Sequence, residues 1–483
     1  MSGLDQILGG GLTPSRMYLI EGTPGTGKTT FALKFLMAGA ERGELGLYIT
    51  LSETAEELRA VVASHGWSLD GIELHELTDE MNMTAEAEQF ILHPSEIELG
   101  ETIKAVTREI ERINPARVVF DSLSEMRLLA QEPLRYRRQI LALKQFFAHR
   151  DCTVLMLDDK TSESGDLQLH SIAHGVISLD QIPQSYGTER RRLRVVKMRG
   201  MKFQGGYHDF VLDTGRVAVF PRLVAADHHT DFVPTRLPSG SYQLDEMLGG
   251  GLVPGTNTLL LGPSGVGKTT TTVRCMLTAL QRGESADYYL FDEGLNTLLA
   301  RCRALGMDVA PYLETGQLTV QSIDPAALSP GEFAYRVMHG VQVRKSTFVA
   351  IDSLNAYLLA MPGQSYLLLH MHELLTFLNQ QGVVTLLVVA QHGLVADGRS
   401  DLDLSYLSDS IVIYRYFGSH GAMRTAIAVI KSRTAETERS VREFRLSATR
   451  GLQVGEPLVD SEELLVGLPT YRGATAMIPI DSQ

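Results

Sequence analysis

Two copies of one glycine-rich pattern hold the residues with the clearest chemical potential. In each copy four variable residues separate two glycines, and Lys28-Thr29 or Lys268-Thr269 follows. Such glycines let backbone N–H groups face nucleotide phosphates at a helix N-terminus, while the lysine adds a charge against the β and γ oxygens. The threonine hydroxyl is expected to ligate Mg²⁺. The predicted ATP-binding segments are Gly22-Thr23-Pro24-Gly25-Thr26-Gly27-Lys28-Thr29-Thr30 and Gly262-Pro263-Ser264-Gly265-Val266-Gly267-Lys268-Thr269-Thr270.

An aspartate closes an apolar run downstream of each glycine-rich segment. Asp121 follows Val118-Val119-Phe120, and Asp352 follows Val349-Ala350-Ile351. A carboxylate at the end of a buried strand emerges at the carboxyl edge of a parallel sheet, beside the phosphate-binding loop. We interpret both as Mg²⁺ ligands in the Walker B position, since an ordinary cap would not be expected to recur in both places.

Further acids follow the next predicted strand of each copy. They are Glu53 in the first copy, and Asp292 and Glu293 in the second. A carboxylate there can orient and deprotonate an attacking water, so Glu53 and Glu293 are candidate general bases with Asp292 beside the second. The alternative for Glu53 is a helix cap or first-turn acid, because the residues after it are typical of a helix start.

A lysine and an arginine recur together after a late predicted strand. Lys197 and Arg199 in the first copy correspond to Lys431 and Arg433 in the second. Strand alternation places each pair on one face, which suits a γ-phosphate. A solvated strand edge is the alternative. If subunits form a ring, these cations are able to serve a neighbour's nucleotide.

Candidate γ-phosphate sensors follow another strand. Gln391 occupies this place in the second copy, and the first copy offers Asp158 and Asp159. An ordinary polar strand end is an equally weighted alternative.

The elements that position these residues are also duplicated. Leu8-Gly9-Gly10-Gly11-Leu12 returns as Leu248-Gly249-Gly250-Gly251-Leu252, 240 residues later, as do the glycine-rich segments. Short apolar strands alternate with longer helical segments, which predicts an α/β fold of two tandem domains, each a mainly parallel sheet with helices on both faces. We predict domains over 1–225 and 236–455, a polar linker over 222–236 and a tail over 456–483. The second copy has a preceding segment, 232–238, that the first lacks, so a strand is expected to be missing before the first.

Composition narrows the function classes. The 57 acidic and 44 basic side chains give a formal charge of −13, which argues against a surface built to neutralise nucleic acid. Cys152, Cys275 and Cys302 show neither disulfide nor zinc spacing. The chain shows no apolar run long enough to span a membrane and no signal-peptide pattern, so a cytoplasmic protein is expected.

These residues resemble the RecA-type P-loop ATPases, and within them the duplicated KaiC family. The resemblance covers nearly the whole chain. It rests on both glycine-rich segments, the Leu-Gly-Gly-Gly-Leu leaders, His93 to Glu101, Asp121-Ser122-Leu123, Lys197-Met198-Arg199-Gly200 and Val219 to Arg222. It implies a hexameric double ring that binds ATP between subunits, with Lys197, Arg199, Lys431 and Arg433 reaching in from the adjacent protomer, and an unidentified protein partner in signalling.

The family also phosphorylates itself on a neighbouring Ser-Thr pair in the second domain. The matching residues are Ser405-Tyr406, so the resemblance implies a serine autokinase with Ser405 as acceptor and Glu293 as base. Where the family carries two adjacent glutamates, this chain has Ser52-Glu53 and Asp292-Glu293. The tail from Pro457 does not match the tail through which clock partners act.

Two other functions share the ATP site. One is a recombinase-like filament that grips DNA, which the acidic charge disfavours. The other is a scaffold that ATP assembles with negligible turnover.

Overall fold

The computed structural model describes residues 1–77, 94–130, 132–160, 168–184, 187–359, 364–390, 405–419, 422–447, 450–458 and 477. The chain divides into two compact units, Met1–Arg222 and Leu223–Gln483. Most of the predicted tail lies outside the described residues.

The first unit alternates strands and helices in its first part and continues with strands. Its strands are β1 (Met17–Gly22), β2 (Gly46–Thr50), β3 (Ile72–Glu76), β4 (Arg117–Asp121), β5 (Thr153–Asp158), β6 (Gly175–Ile182), β7 (Arg190–Met198), β8 (His208–Asp213) and β9 (Arg216–Phe220). Its helices are α1 (Ser2–Ile7), α2 (Lys28–Ala40), α3 (Ala55–Ser64), α4 (Pro94–Ile113), α5 (Leu123–Ala130), α6 (Pro133–Ala148) and α7 (Gln168–Ile172).

The second unit repeats this plan. Its strands are β10 (Thr256–Gly262), β11 (Ser285–Leu290), β12 (Leu318–Ser322), β13 (Ser346–Asp352), β14 (Val384–Ala390), β15 (Ser410–Ser419), β16 (Ala422–Ser432), β17 (Arg442–Ser447) and β18 (Gly451–Pro457). Its helices are α8 (Tyr242–Met247), α9 (Lys268–Gln281), α10 (Leu295–Ala304), α11 (Ala310–Glu314), α12 (Pro330–Val343), α13 (Leu354–Leu359) and α14 (Gln364–Gln380). Short 3-10 turns cover Ala225–Asp227 and Ser405–Leu407.

Each unit is built on one sheet, and the two sheets have the same strand order. The orders are β3-β2-β4-β5-β1-β6-β7-β8-β9 and β12-β11-β13-β14-β10-β15-β16-β17-β18. The first six strands of each order pair in parallel, and the last three are added antiparallel. The predicted fold of two tandem α/β units is therefore confirmed.

An apolar layer covers each face of each sheet. Alternate residues of a central strand accordingly belong to different clusters of buried side chains. In β1, Leu19 belongs to one cluster, while Tyr18 and Ile20 belong to the other. A strand buried on both faces reads as a continuous apolar run, which explains the uninterrupted apolar sequence before Asp121. That burial holds the carboxyl ends of the strands, and the loops after them, in fixed positions.

The predicted linker is not simply a solvated connection. Leu223 and Ala225 are buried in the core of the second unit, and the Ala225 N–H donates to a carboxylate oxygen of Glu373 at 3.2 Å. His228 packs edge-on against Phe377 of α14. The polar composition of the segment did not show these apolar anchors, whereas residues 229–236 are exposed, as expected of a linker.

Candidate active site

A glycine-rich loop, here called the cradle, follows β1 in the first unit and β10 in the second. In the first unit, Gly25 and Gly27 have φ values of +84° and +99°, and Gly27 is the N-cap of α2. A Cβ on Gly27 would lie 2.4 Å from Leu212 Cδ1, so Leu212 would have to shift to admit a side chain there. Gly265 and Gly267 adopt the same left-handed backbone, at +81° and +102°. These loops place the N-termini of α2 and α9 at the carboxyl edges of the sheets.

Lys28 folds back over the first loop. Its Nζ donates to the carbonyl oxygens of Gly22 at 2.8 Å and Thr23 at 3.1 Å, and it pairs with Asp159 Oδ1 at 2.7 Å. Asp159, one of the two candidate sensors of this half, is therefore in direct contact with the loop lysine.

Lys268 makes the equivalent backbone contacts in the second unit. Its Nζ donates to the carbonyl oxygens of Gly262 at 2.7 Å and Pro263 at 2.6 Å. Burial lowers the pKa of Lys268 to about 8, and the charge of Asp352 opposes this shift. An ammonium in such surroundings gains a strong counterion when an anionic phosphate arrives.

The Walker B aspartate of the second unit touches the Walker A threonine. Thr269 Oγ1 donates to Asp352 Oδ2 at 2.7 Å, and the hydroxyl of Tyr288 donates to the same oxygen at 2.8 Å. Burial raises the pKa of Asp352, and these two hydrogen bonds oppose that shift. Thr269 and Asp352 thus form a compact group of oxygen donors at the sheet edge.

The first unit has the same arrangement with a longer threonine contact. Thr29 Oγ1 lies 3.4 Å from Asp121 Oδ2, and the Tyr48 hydroxyl makes a short hydrogen bond to that oxygen. Burial raises the pKa of Asp121, against the opposing hydrogen bond from Tyr48.

Sequence reasoning missed the two tyrosines. Tyr48 lies in β2 and Tyr288 in β11, 240 residues apart, so their shared place in the repeat was the available signal.

Glu53 stands just beyond β2 and faces the aspartate. Burial raises its pKa, with the charge of Asp121 as the second cause. Its Oε2 atom is buried and has no hydrogen-bond partner among the described residues. The helix cap is Thr54, whose hydroxyl accepts from the Glu57 N–H at 3.2 Å while the Glu57 carboxylate accepts from the Thr54 N–H at 2.8 Å. The alternative reading of Glu53 as the cap is therefore wrong.

The acids of the second unit already have partners. Glu293 forms a short ion pair with Arg301 of α10, and the Ser353 hydroxyl donates to Asp292. The carboxylate of Glu293 is therefore occupied by an arginine of its own unit, whereas Glu53 has no such ion pair among the described residues.

The lysine-arginine pairs lie away from the cradles of their own units. In the first sheet, Lys197 is level with Val176, whereas Gly22 is level with Leu179, three residues further on. At about 3.3 Å per residue the separation along the strand is about 10 Å. Arg199 donates to the carbonyl oxygen of Ser171 at 2.6 Å.

Lys431 and Arg433 repeat this placement. Lys431 is level with Ile411, which pairs with Leu259, three residues before the cradle begins. Its Nζ donates to the carbonyl oxygen of Ser408 at 2.7 Å, and Arg433 lies 3.4 Å from Asp409 Oδ1. Both pairs therefore face the amino edge of their sheet, opposite the cradle.

Three other predicted site residues are Asp158, Gln391 and Ser405, and the structure describes them to different extents. Asp158 forms a salt bridge with Arg127 at 3.0 Å, which suits a structural role. Gln391 lies outside the described residues. Ser405 begins the 3-10 turn before β15, and its side chain is not described.

A buried ionic cluster near the first cradle was not predicted. The Glu21 carboxylate of β1 lies 2.6 Å from His170 Nε2 and 3.4 Å from Lys160 Nζ. The second unit has Leu261 at the position of Glu21. An acid inside an otherwise apolar strand was the available signal.

The side chains present fit a nucleotide-bound Mg²⁺. Hydroxyl and carboxylate oxygens are the donors that Mg²⁺ prefers, and this ion is usually held by one or two such groups together with substrate phosphates. Thr269 with Asp352, and Thr29 with Asp121, would hold it. Bound there, the ion would neutralise charge on the β and γ oxygens.

Two α/β units, each with a lysine and a threonine of a glycine cradle beside a strand-end aspartate, define a tandem P-loop ATPase that binds ATP. A family model described as the KaiC ATPase matches residues 1–224 and 237–459, so the chain belongs to this family.

Three relatives show the extent of the similarity. The circadian clock protein KaiC3 of Synechocystis sp. is 26% identical over 473 residues, which cover 97% of this chain and 93% of that protein. The circadian clock oscillator protein KaiC of Synechococcus elongatus is 26% identical over 491 residues, covering 97% and 91%. The circadian clock protein KaiC2 of Synechocystis sp. is 27% identical over 484 residues, covering 97% and 82%.

Among the described residues no helix combines the length and apolar character needed to cross a membrane. The three cysteines are buried and unpaired with one another.

Proposed function

We propose that this protein is a cytoplasmic, ring-forming ATPase that hydrolyses Mg-ATP at both cradles and phosphorylates itself on Ser405. The observation that carries the proposal is the repeated convergence of loop lysine, threonine hydroxyl and Walker B carboxylate at one sheet edge. Lys28, Thr29 and Asp121 form this group in the first unit, and the second unit repeats it.

Glu53 is the water-activating base of the first site in this proposal. Its raised pKa and its buried Oε2 atom suit a carboxylate that accepts a proton from water during attack on the γ-phosphate. Glu293 has the same role in the second site once its contact with Arg301 opens. Because Glu293 begins from an ion pair, we expect the second site to hydrolyse ATP more slowly than the first.

A ring of subunits, six in the KaiC family by resemblance, supplies the missing cations. Each lysine-arginine pair lies at the amino edge of its sheet, away from its own cradle, which supports a contact with a nucleotide bound to an adjacent protomer. Such a head-to-tail contact repeats around a closed ring. Lys197 and Arg199 would complete the first ring of sites, and Lys431 and Arg433 the second.

In this proposal Ser405 is phosphorylated between subunits. The backbone of Asp409, four residues later, donates to the carbonyl oxygen of Asn257 at 2.9 Å, near the start of β10. The cradle follows Gly262, five residues further along, or about 17 Å at 3.3 Å per residue. The phosphoryl donor for Ser405 would therefore be the nucleotide of a neighbour. The output of the ring would be a switched contact with a protein partner.

Turnover of each site tests the hydrolysis proposal. One site is measured in the full chain while Lys28→Ala or Lys268→Ala silences the other. Glu53→Gln is expected to lower turnover of the first site by about 10²- to 10⁴-fold, because a general base contributes about that much. The matched control is Glu56→Gln, which removes an exposed carboxylate three residues away and should leave turnover unchanged. Nucleotide binding without turnover in the unsubstituted chain would contradict hydrolysis and favour an ATP-assembled scaffold.

Labelling tests the autokinase proposal. Incubation with γ-labelled ATP should place label on Ser405, and both Ser405→Ala and Lys268→Ala should abolish it. Tyr406→Phe is the control for the adjacent hydroxyl, whose side chain is exposed, and should keep the label. Absence of label from Ser405 in an assembled, ATP-hydrolysing sample would contradict the autokinase role alone.

A further inference from the structure

The contacts of Lys28 leave no free donor for a phosphate. A lysine ammonium has three N–H donors. In this structure two reach the carbonyl oxygens of Gly22 and Thr23, and the third faces Asp159 Oδ1 at 2.7 Å. The carbonyl oxygens belong to the loop backbone, whereas Asp159 is a side chain with 30% of its surface exposed. A phosphate oxygen that approaches Lys28 therefore has to displace Asp159.

The negative charge of Asp159 also acts on the other carboxylates of the first cradle. The negative charge of Asp159 contributes to the raised pKa of both Asp121 and Glu53, behind burial as the main cause. Three carboxylates thus crowd one cradle, and Lys28 is the cation that offsets them. When a phosphate takes over Lys28, one ion pair replaces another and the released carboxylate stays close to the incoming anion. Both effects weaken phosphate binding.

The described part of the second unit shows no such competitor. Asp158 pairs with Glu21 in the first sheet, and Val389 pairs with Leu261 at the same step of the second. The residue after Val389 is Ala390, which stands where the first unit has Asp159. Among the described residues, Lys268 has backbone carbonyl acceptors and no ion pair. The two cradles therefore differ in whether the phosphate-binding lysine is already neutralised.

We propose that Asp159 is an internal competitor for nucleotide phosphate at the first site, occupying Lys28 until a phosphate displaces it. This inference rests on the proposed function, because it presupposes that the first cradle binds ATP. It makes Asp159 a positioning residue that sets the affinity of one ring and not the other. The consequence is ordered loading, with the second site filling at a lower nucleotide concentration than the first site, where Asp159 competes for Lys28.

Nucleotide binding without turnover tests the inference. The full chain carrying Lys268→Ala, which leaves the first site as the binding site, is titrated with ADP or ATP in EDTA so that Mg²⁺ plays no part. Asp159→Asn in this background is expected to bind the nucleotide about five- to tenfold more tightly, because it removes the carboxylate that competes for Lys28. The expected gain is modest because solvent screens this partly exposed ion pair. The gain should shrink as salt is raised, because screening weakens the charge competition.

Asp180→Asn is the matched control. Its carboxylate is also 30% exposed, lies in β6 of the same unit and pairs with Arg192 at 3.6 Å instead of Lys28. It is expected to change affinity less than twofold, since it removes the same charge without freeing the lysine. Asp159→Ala repeats the test without the amide of asparagine.

Each outcome bears on the inference. Unchanged or weaker binding in both Asp159 variants overturns it, as does equal tightening by Asp180→Asn, which would reflect overall charge. Absence of binding in the parent chain and all variants overturns the proposed nucleotide site, and this inference with it. Tight binding in the parent with no response to Asp159 leaves the nucleotide site standing and removes the competitor alone.

Discussion

Mixing two inactive variants tests whether a neighbour completes the first nucleotide site. One variant is Lys28→Ala, which removes the cradle lysine, and the other is Lys197→Ala. Within one chain the two positions lie at opposite edges of the sheet, about 10 Å apart along the strands at 3.3 Å per residue. Lys197 Nζ donates to the carbonyl oxygen of Ala173 at 3.0 Å, at the edge away from the cradle. Each variant alone should lack turnover at this site.

The expected recovery follows from the geometry of the ring. If a neighbour completes the site, activity needs an intact Lys28 from one subunit and an intact Lys197 from the next. In a random equal mixture each condition is met half of the time, so about one quarter of the sites regain activity in a closed head-to-tail ring. If both lysines served the nucleotide of their own chain, every site would carry one defect and recovery would be zero.

The assay is phosphate release after the two samples have exchanged subunits, with Glu293→Gln in both so that the second site stays silent. Mixing Lys28→Ala with Glu53→Gln is the control. Both of those residues lie on the cradle side of one subunit, so this mixture should recover no activity. Zero recovery in the Lys28 and Lys197 mixture, with assembly shown by native mass spectrometry, would refute completion by a neighbour.

Three further predictions concern single sites. Tyr288→Phe removes a hydrogen bond to the buried carboxylate of Asp352, which should lower the free energy of unfolding of the second unit by about 1.5–3 kcal/mol, measured by urea denaturation. The hydrolysis rate at the first site should rise with pH above 4.5, the ordinary pKa of a glutamic acid. The proposed base, Glu53, has to be deprotonated to act, and its pKa is raised above that value. A rate that does not change with pH in this window would argue against the role of Glu53. Gly267→Ala should lower the free energy of unfolding of the second unit by about 1–2 kcal/mol, because alanine disfavours the left-handed backbone of this position. The new Cβ would also lie 2.7 Å from Leu446 Cδ1, which adds to this loss. Thermal unfolding should therefore occur at a lower temperature, and ADP binding at that site should be lost.

Several features could be predicted from sequence because they depend on local chemistry. The glycine cradles need positive φ at Gly27 and Gly267, a requirement that the residue type itself reveals. Asp121 and Asp352 end apolar strands, and the carboxyl end of a parallel strand meets the cradle whichever neighbours it has. Duplication then reinforced each local signal.

Other features depend on which distant segments the sheet brings together. Tyr48 reaches Asp121 because β2 and β4 are adjacent, and nothing in the sequence around Tyr48 alone shows a hydrogen bond to a residue 73 positions away. Thr54 caps α3 together with Glu57, which leaves Glu53 outside the cap, and the sequence Glu53-Thr54-Ala55-Glu56-Glu57 did not show this division of roles. Both contacts depend on how the side chains pack in the folded unit.

Residue types and their spacing were enough to predict the duplicated α/β plan, the two cradles and the acids beside them, because each depends on chemistry within a single strand, loop or helix. The folded units were needed to show that Lys197 and Lys431 face away from their own cradles, that Glu293 pairs with Arg301, and that Asp159 pairs with Lys28. These pairings join residues from separate strands and helices. Their distances depend on the order and register of the whole sheet, which local spacing does not contain.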